Sequence, residues 1–310
     1  MYDIIIIGGG PAGLTAAIYA RRANKSVLIL EKDGFGGQMT HSPKIENFPG
    51  FTQISGNELA DKMVEQAMAL GVDIEIEEAL EITADVNLNK KIVKTDFGTH
   101  ECFCVITAMG AKHRLLRVPG EDKFVGDGIS FCAVCDGAFY AGKRVAVIGG
   151  GNSALQEAIL LSELCSEVTI IQNLDFLTGE EKLQESVHCK ANVKIILGTV
   201  IKEFFGENEF EGLVTHREAD GFEETLKFNG AFVAIGLAPE NGIIKNFTKL
   251  DKAGYVISDE NCLTDDEGIF VAGDCRTKRI RQITTAAADG ATAALAACRY
   301  LDHQKECTVK

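Results

Sequence analysis

Two segments of this chain carry the same pattern, and that pattern leaves few folds open. Tyr2 to Ile7 reads as a buried strand; Gly8-Gly9-Gly10-Pro11-Ala12-Gly13 follows, and an alanine-rich helix runs on to about Ala23. Ser26 to Leu30 then reads as a second strand, ending on Glu31. The order recurs with Arg144 to Ile148 as a strand, Gly149-Gly150-Gly151-Asn152-Ser153-Ala154 as the loop, a helix to Leu164 and a strand from Glu167 to Ile171. In such a βαβ unit the first glycine makes a tight turn, the second admits a close backbone approach, and the third lets the helix pack on the strand. Ala154, in the third position of the second copy, is small enough for that packing. The first copy adds an acid, Glu31, placed to accept hydrogen bonds from a ribose, while bare N–H groups at the helix start suit a pyrophosphate. The fold class expected is α/β, with two Rossmann-like, three-layer dinucleotide-binding domains. Near the C-terminus, Gly268 to Asp274 reads as a strand ending in Gly273-Asp274, and an alanine-rich helix follows from about Thr284 to Leu301.

A chain of 310 residues is long enough for two such domains, each with its own core. The longest apolar runs, such as Ile4 to Ile7, are far too short to span a bilayer, so no membrane association is expected. The chain opens on a strand-like segment, which argues against a signal peptide and for a cytoplasmic protein. A net charge of −14 argues against a general nucleic-acid binder.

Ten cysteines are present, irregularly spaced apart from one pair. Cys102, Cys104, Cys165, Cys189, Cys262, Cys275, Cys298 and Cys307 read as reduced thiols rather than a disulfide framework. Cys102 and Cys104 lack two further ligands at suitable spacing, and no metal is expected. The exceptional pair is Cys132-Ala133-Val134-Cys135, followed at once by Asp136 and standing just before the second glycine loop. No second C-x-x-C or nearby histidine pair completes a zinc site, and the short ring suits reversible redox chemistry. A carboxylate beside the pair can move a thiol proton; the competing role for Asp136 is a helix N-cap.

Together these motifs resemble the low-molecular-weight thioredoxin reductases over nearly the whole chain. Gly8, Gly10, Pro11, Ala12, Gly13 and Glu31 resemble that family's FAD loop. Gly36-Gly37-Gln38-Met39 and Glu46-Asn47-Phe48-Pro49-Gly50 are similar to its flavin-contacting stretch, and Gly273-Asp274 with Arg281-Gln282 to its late FAD motif. The resemblance implies FAD as cofactor, with Gly37, Gln38, Asn47, Gly110, Gly273, Asp274, Arg281, Gln282 and Ile283 among its contacts. It also implies a split architecture, with the FAD domain formed by residues 1–114 and 243–310 and a dithiol domain of residues 115–242 inserted in it. A homodimer is implied, as is an inserted domain that rotates to offer the dithiol alternately to flavin and thioredoxin. In that scheme Cys135 faces the flavin, Cys132 attacks the substrate disulfide, and Asp136 handles the proton.

One part departs from the family. Its second loop is followed by His-Arg-Arg and a further Arg that grip the 2′-phosphate of NADPH, whereas this chain reads Gln172-Asn173-Leu174-Asp175-Phe176-Leu177-Thr178. No Lys or Arg occurs from Val145 to Glu181. NADH, which needs an acid at the strand end, finds Gln172 and Asn173 there, so Gly149 to Ala154 is expected to be a relic that binds nicotinamide weakly at most. The chain most resembles the ferredoxin-dependent thioredoxin reductases that lack the nicotinamide motif. Ferredoxins are acidic, and Arg276-Thr277-Lys278-Arg279-Ile280-Arg281 reads as a basic patch in an acidic chain, with Arg276, Lys278 and Arg279 as candidate docking residues. A solvated basic turn is the alternative. Lys112, His113, Arg114 and Arg117 form a second basic cluster in the sequence. An NAD(P)H-dependent reductase with atypical ribose recognition, a flavin-dependent dithiol oxidase and a non-enzymatic redox sensor remain open.

Overall fold

The computed structural model describes residues 1–42, 44–85, 88 and 90–308, with side chains to residue 304. Cys307, read above as a reduced thiol, has its side chain outside the described residues. The chain divides into two compact units, Met1–Lys112 with Ala238–Lys310, and His113–Leu237.

The first unit is built outward from β1 (Tyr2–Ile7), whose isoleucines are buried on both faces, as expected of a strand in the middle of a parallel sheet. Ile4 and Ile6 pack with α1 (Pro11–Arg22), while Ile5 and Ile7 face a second cluster that includes Ile244, Val256 and Ile269. β2 (Val27–Glu31) lies parallel to β1, with Ile4 opposite Val27 and Ile7 opposite Leu30. After α2 (Gly56–Ala69) come β3 (Asp73–Ile76), β4 (Ala79–Asp85), β5 (Lys90–Thr95) and β6 (Thr99–Thr107). The sheet order is β3-β2-β1-β6-β5-β4, and the late strand Ile269–Val271 joins the far half of β6 in parallel. The long C-terminal helix Ile283–Thr308 packs on α1 so closely that a Cβ at Gly290 would stand 2.1 Å from the Ala12 carbonyl oxygen. Ala12, Ala16 and Ala17 on α1 and Ala293, Ala294 and Ala297 on the C-terminal helix are the small residues that permit this approach.

The chain leaves the first unit along β7 (Ala111–His113). In the second unit a single turn, α3 (Glu121–Phe124), precedes β8 (Ile129–Ser130) and the dithiol turn α4 (Ala133–Asp136). The repeat follows as β9 (Arg144–Ile148), α5 (Asn152–Leu164) and β10 (Glu167–Ile171), continued by α6 (Glu181–His188) and β11 (Val193–Ile196). An antiparallel three-stranded sheet, β12 (Thr199–Phe205), β13 (Gly212–Arg217) and β14 (Glu223–Lys227), precedes β15 (Gly230–Val233). The parallel sheet has the order β11-β10-β9-β15-β8. Val145 and Val147 pack under α5, and Ala146 and Ile148 pack with Phe204, Phe210 and Phe228 on the other face. Both units thus pack helices on a sheet whose central strands are parallel, the α/β class read from the two glycine patterns. Among the described residues no helix is long and apolar enough to cross a membrane.

Candidate cofactor and dithiol site

In the first loop Gly8 has φ +110°, and a Cβ there would sit 2.3 Å from the Ala108 carbonyl oxygen. A Cβ on Gly13 would lie 1.9 Å from the Gly8 carbonyl oxygen, so only glycine lets α1 start this close to the strand. Pro11 occupies the first helical position after Gly10, where its missing N–H costs nothing. The Glu31 carboxylate accepts the Gly9 N–H at 2.6 Å and the Asp33 N–H at 3.0 Å, which holds it at the edge of the loop. Beside it, within the first unit, is a cavity of about 710 Å³ whose walls include Ile7, Gly8, Glu31, Lys32, Met109 and Ile243.

Two of the other expected cofactor residues, Gly37 and Gly273, lie against the same helix start. Gly37, at φ +56°, begins the short turn that carries Gln38, and a Cβ on it would lie 3.5 Å from the Gly10 Cα. A Cβ on Gly273 would come 2.9 Å from the Ala12 Cβ, which puts Gly273-Asp274 against the start of α1. The Asn47 side-chain amide donates to Gln282 at 3.3 Å. Gly110 takes a positive φ of 65°, and Ile283 opens the C-terminal helix. Asp274 Oδ1 and Arg281 Nε are buried with no hydrogen-bond partner among the described residues. Burial pushes the Asp274 carboxyl up, against the opposing pull of Lys278 and Arg281. Buried polar atoms left open in this way are costly unless something else completes them. A large polar cofactor such as FAD fits the donor, acceptor and glycine cradle present.

The basic run from Arg276 to Arg281 is not the patch its sequence promises. Arg276 is only 3% exposed. Its guanidinium forks onto Asp289, Nε to Oδ2 at 2.8 Å and Nη2 to Oδ1 at 2.8 Å, and Lys278 Nζ reaches Oδ2 at 3.0 Å. Asp289 also accepts the Gly273 N–H at 3.0 Å. Arg276 and Lys278 are therefore corrected from docking residues to internal cations, consumed by a buried carboxylate on the C-terminal helix. Arg279 remains exposed, and the Arg281 guanidinium stacks over Tyr255 at 4.4 Å. Asp289 is the residue sequence reading missed: an acid inside an alanine-rich helix, one turn and a loop away from its partners.

In the second unit Cys132 and Cys135 form a disulfide with Cα atoms 5.3 Å apart. Cys132 starts the turn in extended conformation, and its Sγ accepts the Cys135 N–H at 3.2 Å. Asp136 Oδ2 accepts the Ser130 hydroxyl at 2.6 Å, and Ser130 Oγ accepts the Cys132 N–H at 3.1 Å, so Ser130 links the acid to the dithiol backbone. The Asp136 side chain caps no helix, which removes the N-cap alternative. Burial pushes its carboxyl up, opposed by the Ser130 bond, and Oδ1 is buried with no partner among the described residues. Ser130 was not singled out from sequence; a hydroxyl two residues before a redox cysteine was the available signal. The other thiols differ: burial pushes Cys102 up to about 12 and Cys104 well above its ordinary value, so both are poor nucleophiles.

The second glycine loop copies the first in backbone and not in chemistry. Gly149 has φ +127°, and a Cβ on it would sit 2.5 Å from the Ala234 carbonyl oxygen. Over Gly150, where the first loop has Glu31, lies Gln172, only 4% exposed, its Nε2 donating to the Phe176 carbonyl at 3.4 Å. The Gly150 carbonyl accepts the Thr178 and Gly179 N–H groups, and Asn152 and Glu180 exchange two hydrogen bonds at the start of α5. Asn173, Leu174 and Thr178 are exposed and uncharged.

The sequence matches the pyridine nucleotide-disulphide oxidoreductase family over residues 2–290. It is 43% identical over 299 residues to a "34.2 kDa protein in rubredoxin operon" of Clostridium pasteurianum, covering 96% of this chain and 97% of that one. It is 39% identical over 307 residues to the thioredoxin reductase of Bacillus subtilis, covering 99% and 96%. The crystal structure of thioredoxin reductase from Streptococcus pyogenes is similar with a TM-score of 0.93 at 40% identity, over 98% of this chain and 99% of that one. The chain belongs to the pyridine nucleotide-disulphide oxidoreductase family and is a thioredoxin reductase-like flavoprotein disulfide reductase, with FAD as its cofactor.

Proposed function

We propose that this protein reduces a thioredoxin disulfide through Cys132 and Cys135, and that reduced ferredoxin rather than a nicotinamide supplies the electrons. The observation that carries the donor half is the second loop, where an amide, Gln172, is buried over Gly150 and no cation lies from Val145 to Glu181. A 2′-phosphate there would meet Asp175 and Glu180 with no pairing charge, and each missing charge-assisted bond is worth about 1.5–3 kcal/mol. The Clostridium relative, named for its place in a rubredoxin operon, adds support for a small iron-protein donor. The thioredoxin half rests on the relatives named thioredoxin reductase.

Gly8, Gly10, Pro11, Ala12 and Gly13 would hold the pyrophosphate of FAD and Glu31 its ribose. Gly37, Gln38, Asn47, Gly110, Gly273, Asp274, Arg281, Gln282 and Ile283 would hold the remainder. Bound FAD supplies the redox store that passes an electron pair to the disulfide. Cys132, once a thiolate, attacks the thioredoxin disulfide and forms a mixed disulfide, releasing one thioredoxin thiolate. Cys135 then attacks Cys132 Sγ, restores the Cys132–Cys135 bond and frees the second thioredoxin sulfur. Asp136, linked to the turn through Ser130, takes the proton as each attacking thiol ionises and returns it to the leaving sulfur. Arg279 is the one originally named docking residue still available to ferredoxin. A cytoplasmic homodimer is the expected setting.

Anaerobic titration of the FAD-loaded protein with NADPH, NADH and photoreduced ferredoxin, following flavin absorbance, tests the donor. Bleaching by ferredoxin alone is expected; rapid bleaching by either nicotinamide overturns the reading.

A further inference from the structure

A second carboxyl stands against the dithiol turn, and nothing above uses it. Glu157 projects from the inward face of α5, three residues after the buried Ala154 and four before the buried Leu161. It accepts the Ala133 N–H, inside the Cys132–Cys135 turn, and its Oε2 is buried with no hydrogen-bond partner among the described residues. Asp136, at the other end of the same turn, also has one buried oxygen with no partner among the described residues. Two acids therefore stand around the disulfide, Glu157 meeting the Ala133 N–H inside the turn and Asp136 accepting the Ser130 hydroxyl before it.

We propose that Glu157 is a positioning residue of the dithiol: neutral, it holds the turn through Ala133 without adding charge, and ionised, it opposes formation of the Cys132 or Cys135 thiolate. The proposal rests on the dithiol reading given above and deepens it. Burial pushes the Glu157 carboxyl up to about 8, against the Ala133 bond, and the Asp136 charge raises it further. The field runs from Asp136 to Glu157 because the acid that ionises first acts on the other. The Gly137–Tyr140 turn, packed on the same helix, brings Tyr140, whose hydroxyl burial pushes up to about 12 and so keeps neutral. α6 brings Glu181, Lys182, Glu185 and His188, and β9 and β10 bring Arg144 and Glu167, which pair with one another. The charge that acts on Glu157 is that of Asp136.

Reduction breaks the Sγ–Sγ bond with two electrons, which the reduced cofactor would supply in turnover and the buffer thiol supplies in the test below. It leaves two thiols if two protons are taken up, or a thiol and a thiolate if one is. Where Glu157 is ionised, the new thiolate raises its proton affinity, and reduction takes up one further proton, onto Glu157. The dithiol midpoint potential must then fall more steeply with pH above about 8.

The test is the midpoint potential of the dithiol against pH in thiol–disulfide buffers, on the FAD-loaded protein and on Glu157→Gln. Gln keeps an acceptor for Ala133 and cannot ionise. The wild type should show the added steepening, and Glu157→Gln should lose it while keeping its FAD content, thiol titre and thermal midpoint. A purely structural role would move stability and leave the slope alone. A wild-type curve with no break near pH 8, or a break that survives in Glu157→Gln, overturns the proposal. The wild-type curve decides by itself if the variant does not fold. Full thioredoxin turnover by Cys132→Ser or Cys135→Ser would instead sink the dithiol reading, so the two failures are separate.

Discussion

The two glycine loops share a backbone and differ in what stands over them. Gly8 and Gly149 both take positive φ, and each would drive a Cβ into a carbonyl oxygen, of Ala108 at 2.3 Å and of Ala234 at 2.5 Å. Over the first loop lies Glu31, an acid aimed at its N–H groups; over the second lies Gln172, an amide turned to the Phe176 carbonyl. The first loop meets Gly273-Asp274, which Asp289 holds through the Gly273 N–H while binding Arg276 and Lys278. The second is closed by its own following segment, through the Gly150 carbonyl and the Asn152–Glu180 exchange. Backbone shape is kept because helix-on-strand packing needs it, whatever binds. Side-chain chemistry at the strand end decides whether a dinucleotide is held, and which one.

That contrast breaks most sharply at the glycines. Gly8→Ala and Gly149→Ala should each cost several kcal/mol, since a positive φ costs about 1–2 kcal/mol and overpacking about 1–3 more. Gly8→Ala should be recovered without flavin, whereas folded Gly149→Ala should keep its flavin. Flavin content of the two purified variants decides it, and loss of flavin from Gly149→Ala would show that the second loop is not independent of the cofactor.

The charge cluster behind the first loop comes next. Arg276→Ala leaves Asp289 buried beside Lys278 alone and should cost about 3–5 kcal/mol, against less than about 0.5 kcal/mol for Arg279→Ala. Burial pushes the Asp289 carboxyl up, but Arg276 and Lys278 outweigh it and hold it below the usual range. A lowered folded pKa gives stability that is fully present above the unfolded value, about 3.9, and is lost as pH falls through the folded one. Acid unfolding of wild type should therefore include this loss, and Arg276→Ala should show less of it. Equal unfolding midpoints for the Arg276 and Arg279 variants would mean that the cluster is not internal in solution.

The third change would make the second loop more like a nicotinamide site. Asn173→Arg, Leu174→Arg and Thr178→Arg together should raise NADPH-driven flavin reduction roughly a hundredfold, about a third to three-fifths of what three bonds worth about 1.5–3 kcal/mol each could supply. No gain would move the obstacle from the missing cations to the buried Gln172 and the closed loop.

Much of this molecule was legible in its sequence, for reasons that are local. Four consecutive isoleucines, a glycine turn and an alanine-rich helix determine a buried parallel strand and the helix packed on it. The C-x-x-C run likewise announced the disulfide, because the two cysteines that form it lie within four residues. Asp274 and Arg281 were legible as a motif, but only the fold showed on each a buried atom with no partner among the described residues. Glu157 was visible only as a polar break in the buried face of α5, with no sign of the turn it would touch.

The sequence by itself determined the α/β class, the two glycine loops, the dithiol and the missing cations of the second loop. Each is set by neighbours along the chain, through φ preference, strand and helix periodicity, or plain absence of charge. Tertiary structure decided which charges face water. Arg276 and Lys278 read as surface because their own segment is basic; they are internal because Asp289, on another helix, is folded against them. Burial and pairing depend on contacts distant in sequence, and the free energy of a charge depends on them more than on the residue's own identity.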